Sequence, residues 1–367
     1  MTKGNPQKSD RNLSLLPSKS DFQNPQLDLF QRFLCNTDLE REQLSNTFDL
    51  WDSIPRYSVS RQAMAKMRTE NGFLDLLKVD FHYKGLVLKA IIQPARIEEA
   101  NGRAQDYYPS ANEELIEDAL RKIAADQNHG YFDKSNYCSG VVFSLHVLRQ
   151  ELKKRGHARS YQQIIQSLNI LSGSVIELRT EDGKHTEAFT RSPYFPSLTA
   201  VSRQKLQSDP QARWIAQFHP LVTLSIDALT YRQFNYHQMM SHSAQLARWL
   251  HKQLSLKFTF ASFTTSFEMR FSTIKRDSAL LDGYKQKRQA IAALDTAFDE
   301  LTACKTLSRV SKKEVRGLRG KLEDVVYNLT ASREFVTAMK AANKRKSMIL
   351  EDVSSPVNKT EPASNRQ

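Results

Sequence analysis

The sequence predicts an α+β chain of two tandem winged-helix domains with disordered N- and C-terminal tails. Two observations carry that expectation. An order of helix, helix, helix and hairpin occurs twice along the chain, and 367 residues is enough for two to three domains with real cores. A third observation is the charge: 53 Lys and Arg against 40 Asp and Glu leave +13 with neutral His, which suits a polyanionic partner and makes nucleic acid the first class to consider.

Residues 1–47 are rich in Ser, Asn, Gln, Pro and Lys, have no sustained period and are nearly balanced in charge, as in a disordered tail. A first domain is expected over 48–215. In GLVLKAIIQPARI, Leu86, Leu88, Ala90 and Ile92 alternate as in a half-buried strand, and Asn101-Gly102 supplies a turn. Glu113 to Asp126 reads as an amphipathic helix through Leu115, Ile116, Leu120 and Ile123, with Gly130 just past its end. Val141 to Arg155 reads as a second helix, and Ser160 as the N-cap of a third. The runs SVIELRT and HTEAFT around Glu181-Asp182-Gly183-Lys184 then read as a hairpin, the wing.

A second domain is expected over 216–348. Met240 to Phe258 is its first helix, with Leu246, Trp249, Leu250 and Leu254 on one face. Ser266 to about Leu281 is the second, broken by Asp282-Gly283 before a third that starts at Tyr284. The basic run KTLSRVSKKEVRGLRGK and the alternating LEDVVYNLT form the wing, a last helix covers Ser332 to Lys346, and 349–367 is a tail.

A helix that reads DNA packs one side on the core and shows small and polar side chains on the other. The helix from Tyr284 does so: Ile291, Leu294, Phe298 and Leu301 share a stripe, while Lys285, Arg288, Gln289, Ala292 and Thr296 cluster opposite. Arg288 and Gln289 suit bidentate contacts to guanine and adenine, and Ala292 allows close approach. Asp295 and Asp299 on the flank count against contact beyond mid-helix. From Tyr284 to Lys346 there are fifteen basic and seven acidic residues, net +8. Arg309, Lys312, Lys313, Arg316, Arg319 and Lys321 stand in the wing, as phosphate contacts require. In the first domain Tyr161, Ile164, Ile165, Leu168 and Leu171 face inward; Gln162, Gln166 and Asn169 face away, with Gln163 to one side and Arg159 before them. That face suits base contact and protein contact equally.

Other classes find little support. The three cysteines, Cys35, Cys138 and Cys304, lie far apart and form no CxxC, which fits a reducing compartment. The N-terminus has no apolar leader and no stretch approaches a membrane span, so the expectation is a soluble, cytoplasmic protein without membrane contact. No GxxxxGK[ST] indicates a P-loop, no HExxH or Cys pair a metal, no GxSxG a nucleophile elbow. His82 in DFHYKG stands alone, whereas a strand-nicking enzyme needs a metal-binding His-apolar-His motif and a tyrosine. No enzyme, metal or cofactor is expected. In the tail, however, Gln26-Leu27-Asp28-Leu29-Phe30 places three apolar residues where no core can receive them, as an anchor for a partner's pocket would. The pentapeptide resembles the QL(S/D)LF motif by which replication proteins dock on the bacterial sliding clamp.

Several longer runs resemble the TrfA-like plasmid replication initiators, within the class of iteron-binding initiators with tandem winged helices. They are LWDSIPRY (50–57), QPARI (93–97), YYPSANEELIEDALRKIA (107–124), FHPLVTLSIDALTYRQFNYHQMMS (218–241), LARWLHKQL (246–254), DVVYNLT (324–330) and AANKRK (341–346). The resemblance implies monomers that bind origin iterons as duplex DNA and help open an adjacent A+T-rich region with its single strands. It further implies recruitment of the host initiator ATPase, replicative helicase and polymerase machinery, and a dimer as the storage or autoregulatory form in plasmid copy control. It places the helix from Tyr284 in a major groove and gives the first domain the rest of the iteron and part of the dimer contact. The alternatives are an origin-nicking rolling-circle enzyme and a winged-helix transcriptional repressor.

Overall fold

The apolar residues gather into two cores that divide the chain between Met240 and Leu246. The computed structural model describes residues 42–99, 102–125, 129–133, 135–180, 189–201, 209–259, 262 and 264–354, with side chains to Ser347. The expected boundary at 215/216 is therefore displaced: Phe218, Val222, Ile226, Phe234 and Met239 bury in the first core, because a segment goes where its apolar side chains find cover.

In chain order the first part carries β1 (Leu44–Phe48), α1 (Arg61–Met67), β2 (Leu77–Tyr83), β3 (Leu86–Gln93), β4 (Ala95–Glu98), β5 (Ala104–Tyr107), α2 (Ala111–Ala125), β6 (Gly130–Asp133), β7 (Cys138–Ser144), α3 (Leu145–Lys154), α4 (Tyr161–Gly173), β8 (Val175–Thr180), β9 (Phe189–Pro193), β10 (Leu198–Val201), β11 (Arg213–Gln217), α5 (Pro220–Asp227), β12 (Tyr231–Asn235) and α6 (Tyr236–Met240). The second carries α7 (Gln245–Lys257), β13 (Ser266–Arg270), α8 (Phe271–Ser278), α9 (Lys287–Ala303), β14 (Leu307–Arg316), β15 (Leu322–Ala331) and α10 (Arg333–Ser354).

The second part has winged-helix topology. Strand β13, lying between its first and second helices, joins the hairpin in the order β13-β15-β14. The first part has the same helix and hairpin order in α2, α3, α4 and β8–β9, but its intervening strand β7 belongs to a separate sheet, β10-β11-β7-β6. The hairpin is instead widened by β3 and β2 into a sheet ordered β2-β3-β8-β9. The turn at 181–184 lies outside the described residues.

Several local expectations are corrected. Val141–Ser144 is strand, not helix, because the β-branched Val141 and Val142 and the aromatic Phe143 pair with β11, and Ser144 then caps α3 by accepting from the Val147 amide. SFEMR likewise pairs with β15 as β13, leaving a helix only from Phe271. Gly130 opens β6 instead of closing a helix. The first helix of the second part begins at Gln245, after the polar run Ser241–Ser243, and not at Met240. Of the segment expected to be a disordered tail, 44–47 forms β1, paired with β12 from Leu44↔Asn235 to Phe48↔Tyr231. The last helix runs on to Ser354, since no Gly or Pro interrupts it before Pro356.

A buried ion network joins the two cores. On α2, Glu114, Glu117, Asp118 and Arg121 recur at three- and four-residue steps and so line one face. Asp52 accepts from Arg121 at 2.8 Å and from Arg56 at 3.0 Å; Glu117 accepts from Arg56 at 2.9 Å and from Trp51 Nε1 and Tyr57. From the second part, Lys252 of α7 reaches Glu114 at 2.8 Å and Asp118 at 3.0 Å, and Gln253 donates to the Asp52 carbonyl at 2.9 Å. Burial would raise the Asp52 and Glu117 carboxyls, but the surrounding guanidinium groups hold both below the usual range, Glu117 at about 2. Asp52 and Glu117 therefore stay ionised at neutral pH, while burial pushes the Asp118 carboxyl the other way.

Candidate nucleic-acid interface

Helix α9 is held by its apolar stripe. Ile291, Leu294, Phe298 and Leu301 are buried in the second core, and Phe298 lies against Tyr327 of β15 with ring centroids 4.8 Å apart. Asp295 secures the same contact: its carboxylate accepts from the Tyr327 hydroxyl at 2.9 Å and from Lys312 Nζ at 2.6 Å. Burial, and then Asp295, push the phenol's pKa up, so Tyr327 remains a donor. Of the two acids that counted against a DNA-facing helix, Asp295 is thus paired within the fold, whereas Asp299 stays exposed.

The opposite face of α9 is open. Arg288, Gln289, Ala292 and Thr296 are exposed, and the Arg288 and Gln289 side chains make no hydrogen bond or ion pair among the described residues. Thr296 donates its hydroxyl to the Ala292 carbonyl at 3.0 Å and keeps only acceptor capacity. The helix begins at Lys287, three residues later than expected, after a left-handed Ala279 and the 280–283 turn; Lys285 lies ahead of it, exposed. No side-chain cap closes that N-terminus, whose first amides therefore retain their affinity for an anion. Sequence reasoning missed Lys287. It stands four residues before Ile291, on the core-side flank, and its ammonium donates to the Glu323 and Leu322 carbonyls, tying the start of α9 to the wing.

The hairpin β14–β15 pairs Lys312 with Tyr327 and Lys313 with Val326. Alternation then places Val310, Lys312 and Glu314 on the side that faces α9, and Arg309, Ser311 and Lys313 on the other. The six wing cations accordingly divide. Lys312 is paired with Asp295, and Arg316 is folded back on Glu314 and on the Gly320 carbonyl, at 2.9 Å for the latter. Arg309, Lys313, Arg319 and Lys321 are exposed and unpaired among the described residues.

The corresponding face in the first part is more committed. Gln163 and Ser160 form a reciprocal capping box, the Gln163 side chain accepting from the Ser160 amide at 2.9 Å and Ser160 Oγ from the Gln163 amide at 3.2 Å. Arg159 grips Asn112 Oδ1 through two nitrogens at 2.8 and 3.1 Å. Gln162 is exposed and Gln166 half-buried. Gln26, Leu27, Asp28, Leu29 and Phe30 lie outside the described residues.

Among the described residues no three metal-ligating side chains stand together. His242 and His251 do meet, Nε2 to Nδ1 at 3.2 Å, but burial lowers both pKa values, His242 to about 4, and Thr306 also lies 3.2 Å from His251 Nδ1. No described helix is long and apolar enough to cross a membrane.

No family model matches the chain, and no curated protein matches it in sequence. Among solved structures, domains 2 and 3 of RctB, as a selenomethionine derivative, are similar at a TM-score of 0.45 and 12% identity over 70% of this chain and 91% of that one. A second crystal structure of RctB domains 2–3 gives 0.43 and 10% over 75% and 97%. The Pi initiator protein in complex with iteron DNA gives 0.35 and 8% over 80% and 99%. These likenesses are loose, and the function of the site has to come from its own geometry.

Proposed function

We propose that the chain is a non-enzymatic initiator of plasmid replication that binds repeated duplex sites at an origin, helps open the adjacent A+T-rich DNA and recruits host replication proteins. One observation supports it above the rest: α9 offers Arg288, Gln289 and the small Ala292 on an exposed face, beside a hairpin whose Arg309, Lys313, Arg319 and Lys321 are unpaired among the described residues. Arg288 and Gln289 have the forked donors and acceptors that read guanine and adenine edges, and Ala292 lets the helix lie deep in a major groove. The wing cations contact phosphates, giving affinity and register without sequence information. With Gln163 and Arg159 spent on the first part's own structure, Lys312 on its pair with Asp295 of α9 and Arg316 within the wing, reading falls mainly to α9. The resemblance of the long sequence runs to TrfA-like initiators supplies the replication context, and Gln26–Phe30 the dock for a sliding clamp.

A gel-shift titration of the full chain tests this. A duplex carrying direct repeats, selected from a random library for retention by the protein, should bind at least a hundredfold tighter than scrambled DNA at moderate salt. Equal binding to both would sink the assignment. Capture of a bacterial sliding clamp, abolished by Leu29→Ala with Phe30→Ala, separates an initiator from a repressor of the same fold. Failure to cleave supercoiled origin DNA in the presence of divalent metal separates it from a nicking enzyme.

A further inference from the structure

The tip of the second hairpin holds an unpartnered apolar side chain. Leu318 is 93% exposed, the most exposed large hydrophobic residue among those described. It sits in the sequence Arg316-Gly317-Leu318-Arg319-Gly320-Lys321, with a cation two residues before it and others one and three residues after. A loop that merely needed solubility would put a polar residue there, since an isolated leucine in water gains nothing.

The turn that carries Leu318 is built to hold it still. Gly317 donates its amide to the Lys321 carbonyl at 2.9 Å, and Gly320 donates to the Gly317 carbonyl at 3.2 Å. Arg316 braces the turn from one side through the Gly320 carbonyl while its other nitrogens hold Glu314. Arg319 and Gly320 take left-handed backbone angles, φ 62° and 71°, that turn the chain sharply immediately after Leu318. The leucine is thus presented at the apex of a braced turn, with Arg319 and Lys321 beside it.

We propose that Leu318 is a minor-groove wedge, entering between two base pairs of the bound duplex and kinking it while Arg319 and Lys321 hold the flanking phosphates. This rests on the DNA-binding assignment of α9 and deepens it. The chemistry of the tip selects nucleic acid over a protein pocket: the cations around it complement a phosphate-lined groove, and an apolar side chain inserted into a base step covers part of the base surface that unstacking exposes. A protein that must help open DNA gains a bend beside its reading helix, and the wedge supplies one without a reaction.

The experiment compares wild-type chain with Leu318→Ala and Leu318→Phe. The probe is the library-selected duplex, end-labelled for energy transfer to report bending and carrying 2-aminopurine at successive positions to report unstacking. The wild type should shorten the end-to-end distance and brighten 2-aminopurine at one step. Leu318→Ala should abolish the brightening and most of the bend and weaken binding about tenfold, whereas Leu318→Phe should keep both signals. Unchanged bending and fluorescence in Leu318→Ala overturn the wedge while leaving DNA binding intact. Weaker binding with unaltered 2-aminopurine overturns it too, since Leu318 would then only pack on sugar edges. Absence of any preferential duplex binding by the wild type overturns the DNA-binding assignment itself.

Discussion

Helices α4 and α9 occupy equivalent places in the two parts of the chain, each the last helix before a hairpin, and each shows a polar outer face over a buried apolar stripe. They differ in what that face is free to do. On α4, Gln163 is consumed by the capping box, and Arg159, just ahead of the helix, by Asn112. On α9 no side-chain cap is present, one of the two flanking acids, Asp295, is paired with Lys312 and accepts from Tyr327, and Arg288 and Gln289 are unengaged among the described residues. The same binary pattern therefore serves structure in one part and leaves recognition chemistry available in the other. A helix is qualified to read DNA by spare donors and acceptors, and amphipathicity alone does not supply them.

The comparison is sharpened first by breaking what joins the two parts. Lys252→Met should leave Glu114 and Asp118 buried with one cation fewer, at a cost of about 3–5 kcal/mol in urea unfolding. A loss below about 1 kcal/mol would mean that water reaches the network and that the two parts fold without its help. Acid provides an independent probe. Glu117 ionises at about 2 in the folded chain against 4.5 in an ordinary carboxyl, and Asp52 is lowered as well. The unfolded chain binds more protons across that interval, so the stabilisation is present above about pH 4.5 and is lost as the pH falls toward 2. It amounts to roughly 3 kcal/mol for Glu117. Asp118, raised by burial, opposes this in part. Unfolding free energies from pH 5 to pH 2.5 that stay flat would contradict the ionised network.

At the interface the contrast lies between reading and positioning. Arg288→Ala should weaken binding to the selected repeat by about 1–3 kcal/mol and leave scrambled DNA nearly untouched. Lys313→Ala should weaken both alike and lower the salt slope by about 1. If the two variants behave identically in titrations at several salt concentrations, α9 holds DNA without reading it.

Much of this was legible in the sequence, for reasons that differ by element. The inward stripe Ile291, Leu294, Phe298 and Leu301 follows from helical period alone, and all four side chains are buried. Strands β7 and β13 fit a helical reading because segments of seven and five residues are too short for their apolar positions to settle the period, and pairing with β11 and β15 decides it. Helical spacing alone starts α9 at Tyr284, because it cannot sense the left-handed Ala279 and the turn beyond it. The fates of Lys312, Arg316 and Gln163 depended on partners 17, 2 and 3 residues away, in strand register or in a cap. The charge count registered these residues without showing which of them were already occupied. The runs LWDSIPRY, EELIEDALRK and LARWLHKQL meet in the buried ion network, away from the exposed face of α9, and no periodicity along the chain signals that meeting.

The smallest effects decide whether α4 belongs to the frame or to the interface. Gln163→Ala removes one half of the capping box, leaving the Ser160 amide without its acceptor, and should cost about 0.5–1 kcal/mol of stability with DNA affinity unchanged. Gln162→Ala, exposed and one residue earlier, should alter neither stability nor affinity by more than about 0.5 kcal/mol. The pair is informative because the two side chains are chemically identical and differ only in engagement. Should Gln162→Ala lose DNA affinity at unchanged stability, α4 is a second reading helix whose contact comes from a glutamine that its cap leaves over. Should Gln163→Ala do so, the capping bond gives way on binding, and the distinction drawn between the two helices fails at its root.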